Sequence, residues 1–494
     1  MRVGGPFPLH PRGPYPATLP PSRHRPSPEA RCPTNARAAA EPVPARGRLP
    51  DGLAAFRHRD YRIFWFTQLG SLTGTWMQGI AQSWLVLTLT DSAVQLGLVN
   101  ACQFGPTLLL GLPAGVVADR VPKRRLLLTT QAVAWLVASL LALSVATGNV
   151  ALWHIYAAAL GLGLVNAFDM PARQAFAVEL VGKADLPNAV ALNSALFNTT
   201  RIVGPAIAGL LLAQVGAAVC FVINAASYAP VVAGLALMHT RVAPAPDDGH
   251  ASPLDRLREG LAYVRATPAV ALPIALVGVV ATFGMNFNVW VPLLARRDFA
   301  AGAAGFGVLM SAMGVGSLLG VLVLAFKGRK PRRRLMLATG LLFGLFEIGL
   351  AFAAAVPIPF LAALPIMAAV GWMMSTTMAT ANTLVQTTAP DELRGRVMSI
   401  YMTVFAGTLP IGSLLAGASA TALGTPASVA IGGVIVLFAT LAIGGKDWRP
   451  RAAWAAFRSR RAPALAEVAV PNPAVMMTEV AQPAAAEAPP ARAD

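Results

Sequence analysis

Long apolar blocks alternate with short basic or polar stretches over most of this chain. Twelve blocks stand out, at about 63–90, 93–117, 126–147, 151–171, 189–213 and 217–238, then at about 269–294, 303–326, 335–355, 358–383, 397–421 and 425–444. A helix needs about 20 residues to cross roughly 30 Å of hydrocarbon. The backbone finds no water at that depth, so each block is predicted to be a transmembrane helix. Between blocks six and seven, Leu254, Leu257, Leu261 and Val264 recur at i, i+3, i+7 and i+10. That spacing predicts an amphipathic helix lying at the membrane surface.

The ends of the chain follow another pattern. Residues 1–50 hold thirteen prolines and several arginines without apolar periodicity. This extension is predicted to be disordered, and with no apolar h-region it does not read as a signal peptide. Phe56 to Arg62 then forms a basic and aromatic anchor before the first span. Residues 446–494 begin with Lys446, Arg449 and Arg451, turn Ala/Pro-rich and acidic, and are predicted to be a disordered tail. The resulting organisation is an extension at 1–50, six spans within 51–238, a linker at 239–268, six spans within 269–445, and the tail.

Composition narrows the function classes. The chain is 55% hydrophobic and 12% charged, whereas a soluble domain carries about 25% charged residues. The net charge of +17 lies in short loops and tails. It reads as membrane anchoring, and no aromatic-basic interleaving suggests nucleic acid. Cys32, Cys102 and Cys220 are odd in number and far apart, which gives no disulfide framework or metal spacing. The phosphate-binding pattern G-x-x-x-x-G-K-[ST] is missing, as is H-E-x-x-H. The chain is therefore expected to be neither an ATP-driven pump nor an enzyme, and to need no cofactor. An ion gradient would supply the energy.

Loop charge predicts orientation. Loops 119–125, 172–188, 239–268, 327–334 and 390–396 carry nearly all the loop Lys and Arg, and those near 91, 148, 215, 357 and 423 carry none. The first set is expected on the cytoplasmic side, with both termini. Arg296 and Arg297 are the exception on the opposite side.

The chain also repeats. Residues 111–130 and 320–339, a shift of 209, share eight of twenty positions without a gap, among them Arg124 with Arg333. The shift carries span 2 onto span 8. Two six-helix halves related along the membrane normal are a transporter architecture, with the site between them near the midplane.

Gly115-Val-Val-Ala-Asp119-Arg120-Val-Pro122-Lys123-Arg124 resembles the signature G-x-x-x-D-R-x-G-R-R of the major facilitator superfamily, with Pro122 in place of a Gly. Four further stretches resemble the branch of bacterial exporters that includes the enterobactin exporter: Asn166 to Gln174, Leu186 to Ser194, Arg201 to Gly209, and Asp391 to Ser399. The resemblance covers about residues 52–445. It implies an all-α membrane protein of twelve transmembrane helices in the major facilitator fold. It also implies that Asp119 latches across the half interface, near the start of span 11, when the cytoplasmic side is closed. Gly204-Pro205-Ala-Ile-Ala-Gly209 resembles the superfamily's antiporter signature, with Ala208 replacing one glycine.

Several residues invite a mechanistic reading. Gly115, Asp119, Arg120, Lys123 and Arg124 lie at a gate position, and the basic cluster is also explained by plain anchoring. Asp169 and Arg173 are spaced i, i+4, as a local pair or as members of a gate network with Asp119. Arg201 falls about 20 Å into span 5, where a charge costs about 2.5–3.5 kcal/mol, so it is expected to face a cavity or a partner. Glu347 falls near the middle of span 9, as a proton site or as a neutral acid bonded to a neighbouring helix. Gln78, Gln82, Asn166, Asn286 and Asn288 are candidate cavity or proton-coupling residues, or helix glue. Gly204, Pro205 and Gly209 suit either a rocking helix or ordinary close packing. Phe104, Met285, Phe287 and Trp372 are candidates for an apolar wall.

Together these readings predict a secondary transporter of the bacterial inner membrane. It would be a monomer exchanging protons for small amphipathic organic molecules. An uptake symporter and a membrane receptor or scaffold without transport remain as alternatives.

Overall fold

The computed structural model describes residues 51–238, 253–326, 332–356 and 358–446, without the side chains of residues 51, 52, 112, 116, 119, 183 and 253–257. The predicted N-terminal extension and all but the first residue of the tail lie outside the described residues, as does linker 239–252. The described chain is helical, and its spans are Arg59–Thr90, Ala93–Arg120, Lys123–Ala146, Leu152–Gly182, Ala184–Gln214 and Ala217–Leu237 in one half. The other half has Pro268–Asp298, Gly302–Phe326, Arg333–Ala355, Phe360–Thr388, Asp391–Leu423 and Thr425–Gly444.

Eleven of these helices are long and apolar enough to cross a membrane. Span 1 is the twelfth of the bundle and packs along spans 4–6. It is less apolar because it carries Gln68, Ser71, Gln78, Gln82 and Ser83, all buried inside the protein. Protein partners replace water for such groups, so a polar span survives when its polar face points inward.

Several helices run past their predicted limits at the basic end. Span 4 reaches Gly182 rather than residue 171, and span 11 starts at Asp391 rather than 397. The extra turns carry charges outside the hydrocarbon, such as Glu179, which hydropathy alone ends too soon. Spans 4 and 5 are divided at Gly182, whose φ of 70° favours a residue without Cβ. Span 7 is a broken helix. Its α-helical pieces are interrupted by π turns at Val280–Gly284 and Leu294–Asp298, with a break at Asn286.

The repeat has a structural counterpart. Arg124, at the start of span 3, donates to the carbonyls of Leu235 and Ala236 at the end of span 6, each at 2.7 Å. Arg333, at the start of span 9, donates to those of Gly444 and Lys446 at the end of span 12. Shifting 124 and 235 by 209 gives 333 and 444. The last carbonyls of a helix have no partner within it, and a cation there also meets the helix dipole favourably. The basic cluster thus does more than anchor: one arginine in each half ties two helices together.

The predicted amphipathic linker helix exists, as Pro253–Ala266, and its last turns pack on the second half. Tyr263 and Val264 are buried in the second half, and Gly260 sits against Arg396 and Ile400 of span 11. Glu259 pairs with Arg396, and the Tyr263 hydroxyl donates to the Thr388 carbonyl of span 10. The ion pair and the small Gly260 let the helix approach span 11, so that Tyr263 and Val264 are covered by protein.

Replacing Arg124 or Arg333 by Leu is expected to leave terminal carbonyls without donors, at about 1–3 kcal/mol. The apparent melting temperature of the purified protein should fall for both variants. An unchanged value would show that the two arginines do not hold the helix ends.

Candidate functional site

The two halves meet through two helix crossings, span 2 on span 11 and span 5 on span 8. Glycine makes both possible. A Cβ on Gly307 would stand 2.5 Å from the Pro205 carbonyl oxygen, and one on Gly209 would stand 2.8 Å from the Gly307 Cα. A Cβ on Gly97 would be 2.5 Å from the Ser413 carbonyl, and one on Gly417 would be 2.6 Å from that of Ala93. Shifting by the repeat takes Gly97 to 306 and Gly417 to 208, each one residue from its counterpart. Gly204 lies against span 1, where a Cβ would be 2.5 Å from the Trp76 Cβ. Pro205 and Gly209 thus lie on the surface where the halves touch, while Gly204 packs span 5 on span 1 of its own half.

The crossings are confined to the end of the bundle near loop 91. There the Trp84 and Phe306 rings face each other across the halves at 6.4 Å. Arg297 and Arg296 of span 7 reach Asp91 at 3.3 and 3.7 Å. The arginines that broke the loop-charge rule are therefore paired with the other half; that anomaly was the sequence signal for them. The innermost approaches are Leu108 on Gly407 and the Arg201 carbonyl near Gly314.

Beyond them the halves part. Gly97, Leu108, Gly111 and Gly115 share one face of span 2 by helical spacing. A Cβ on Gly111 or Gly115 would meet nothing within 4 Å. A cleft therefore opens between the halves towards the basic loops. Asp119 stands one turn past Gly115, with its side chain outside the described structure. Arg120 is exposed, and Lys123 is buried and pairs with Glu179 of span 4 at 3.2 Å.

Arg201 lies where the cleft ends. Phe197, Arg201 and Gly204 share a face of span 5, and Phe197 packs edge-on to Trp76 of span 1 at 5.8 Å. The next residue, Ile202, meets span 8, where Ser311 donates to its carbonyl at 3.0 Å. The Arg201 Nε is buried, and the side chain has no hydrogen bond or ion pair among the described residues.

A second site lies inside the first half. Asp169 is buried and accepts from Thr130 Oγ1 at 2.8 Å, Gln131 Nε2 at 2.7 Å and Arg173 Nε at 2.9 Å. Arg173 also donates to Gln68 of span 1. The sequence offered an exposed pair or a link to Asp119. The structure gives a buried network joining spans 1, 3 and 4. The second half has a neutral counterpart, where the Thr377 hydroxyl donates to that of Thr339 at 2.8 Å.

Next to this network is a cavity of about 60 Å³, counted as the space open to the centres of water-sized spheres. Gln78, Gln82, Gln103, Asn166, Asn224 and Tyr228 line it. It has room for a few waters rather than an organic molecule. Gln78 accepts from Asn224 of span 6, a partner that single-span periodicity could not show.

Glu347 is fully buried, and neither carboxyl oxygen has a partner among the described residues. It faces span 12, where a Cβ on Gly433 would be 3.0 Å from the Glu347 Cβ. Spans 9 and 12 pack together away from the crossings, so Glu347 is not brought to the cleft. Asn286 sits at the break in span 7 and donates to the Thr282 carbonyl at 2.8 Å. Its Oδ1 is unpartnered and stands over Gly412 of span 11. Asn288 is half-buried on the same span. Phe287 is not a cleft wall; it is buried between Trp290 and Phe343.

Two pseudo-equivalent halves around a one-sided cleft define a transporter of the major facilitator type. Residues 51–471 match the family described as transmembrane secretion effector, and the chain belongs to that family of membrane transporters. It is 30% identical over 374 residues to the staphyloferrin A transporter of Staphylococcus aureus, covering 74% of this chain and 91% of that one. It is 30% identical over 377 residues to the multidrug efflux pump Tap of Mycolicibacterium fortuitum, covering 74% and 90%. The enterobactin exporter EntS of Shigella boydii is 26% identical over 345 residues, covering 70% and 81%. The crystal structure of the nucleoside transporter NupG shares the fold, with a TM-score of 0.64 at 13% identity over 79% of this chain and 99% of that one.

Asp169→Asn is expected to leave the half-buried Arg173 without a counter-ion, at up to about 3 kcal/mol, the low end for breaking a buried pair. The yield of monodisperse protein should collapse, and adding Arg173→Gln should restore part of it. A wild-type yield for Asp169→Asn alone would rule out the network as a structural element.

Proposed function

We propose that this protein is a proton-coupled exporter of small amphipathic organic molecules, working as a monomer in the bacterial inner membrane. The observation that carries this reading is the cleft, closed near loop 91 and open towards the basic loops. With the basic loops and both termini in the cytoplasm, the open side is the one from which an exporter loads. Relatives named for enterobactin export and multidrug efflux support outward movement and an organic cargo.

The opposite state follows from the same parts. The Asp91 contacts with Arg296 and Arg297 would break, and the glycine crossings near loop 91 would open. The free face of span 2 at Gly115 would close on span 11, bringing Asp119 to the start of that helix. A carboxylate at a helix N-terminus gains about 0.3–1 kcal/mol, a suitable size for a latch that must also release. Proton coupling is assigned to Glu347. A buried acid without partners is costly to charge, so its protonation would be linked to how spans 9 and 12 are hydrated in each state.

Everted membrane vesicles are expected to accumulate an amphipathic cargo such as 1-pyrenebutyrate, and a protonophore should abolish the accumulation. Accumulation in right-side-out vesicles instead would indicate uptake. Asp119→Asn should slow transport and alter thiol accessibility on the two sides; wild-type rate and accessibility would remove the latch. Glu347→Gln should flatten the pH dependence of transport, and an intact pH profile would remove it as the coupling site.

A further inference from the structure

Three ionisable side chains of the described spans lie deep in the bundle beside Asp169. Arg173 is neutralised by Asp169. Glu347 faces span 12 on the far side of the second half. Arg201 is left with no acid, hydroxyl or amide as a partner among the described residues, although its Nε is buried. An uncompensated cation at this depth is costly even by the lowest scales. Such a charge is retained when something outside the chain completes it.

The position of Arg201 says what that could be. It stands at the closed end of the cleft, on the span 5 face shared with Phe197 and Gly204, one residue from the contact with Gly314 and Ser311 of span 8. Anything entering from the open side reaches it last. The nearby surfaces are apolar, with Trp76 and Phe197 on one side and Leu108 at the other crossing. A guanidinium presents Nε and a terminal nitrogen side by side, a fork that matches the two oxygens of a carboxylate.

We propose that Arg201 is an anion subsite, and that the cargo is an organic carboxylate whose charged end docks on it while its apolar body rests against the cleft walls. This inference rests on the reading of the cleft as the transport route. It narrows the cargo from amphipathic molecules in general to those with a carboxylate. Lone cations of similar shape would be repelled by the same charge.

A matched probe set tests it: 1-pyrenebutyrate, 1-pyrenebutanol and 4-(1-pyrenyl)butyltrimethylammonium share one apolar body and differ only at the head. Binding to the purified full chain in maltoside, free of phospholipid, would be read by fluorescence anisotropy. The carboxylate should bind about tenfold or more tightly than the alcohol, a factor that corresponds to about 1.4 kcal/mol, and the ammonium should bind least. Arg201→Gln should bring carboxylate and alcohol within about twofold, with the affinity for the alcohol unchanged as a check on folding. Arg201→Lys should keep part of the preference.

Equal binding of the three heads by the wild type, a preference that survives Arg201→Gln, or no binding of the carboxylate would overturn the subsite. If Arg201→Gln does not fold, the wild-type ranking and Arg201→Lys decide. A preference that disappears once anionic phospholipid is added would mean the subsite holds a lipid headgroup, which also overturns it. The transport reading is tested apart, by release of pyrenebutyrate from proteoliposomes. Arg201-dependent binding without movement would sink that reading and leave the subsite standing.

Discussion

A polar group inside hydrocarbon has no water to fall back on, and this constraint orders almost every polar residue of the chain. Arg124 and Arg333 spend their donors on the carbonyls that end spans 6 and 12. Asp169 collects three donors from spans 3 and 4. The glutamines of span 1 turn inward to Asn224, Arg173 and a water-sized cavity. Where the constraint is satisfied, the helices are fixed. Among the ionisable groups of the described spans that do not satisfy it, Arg201 Nε and both Glu347 oxygens are buried without a partner among the described residues.

The halves are alike in framework and different in chemistry. The capping arginines and the glycine crossings recur in both halves at the repeat distance, to within a residue. They set how helices lie against each other, which any transporter of this shape requires. The Asp169–Arg173 pair and the polar cavity belong to the first half, and the corresponding crossing in the second is a pair of threonines. A buried ion pair in one half and hydroxyls in the other give the two halves different responses to hydration, although their backbones move alike.

Much of this was legible in the sequence because bilayer thickness fixes helix length and loop charge fixes side. The span pattern, the repeat at Arg124 and Arg333, and the depth of Arg201 all follow from one-dimensional spacing. What was not legible depends on which helix neighbours which. The break in span 7 follows no turn residue strong enough to announce it. The partner of Gln78 lies on span 6, and the face of Glu347 turns to span 12. The apolar stripe of the linker helix cannot say by itself that Tyr263 and Val264 are covered by the second half. Arg296 and Arg297 looked like an error of the orientation rule until Asp91 was placed beside them.

The docked linker helix has a mechanical corollary. Since Pro253–Ala266 rides on spans 10 and 11, the covalent connection between the docked helix and Met238 is fourteen residues, 239–252. Fully extended, such a tether reaches at most about 50 Å, so it permits rocking while keeping the halves at an effective concentration in about the millimolar range. Re-association is then an intramolecular event. The glycine crossings and the two ion pairs at Asp91 need not be strong enough to hold two independent molecules together, and can be weak enough to come apart on every cycle.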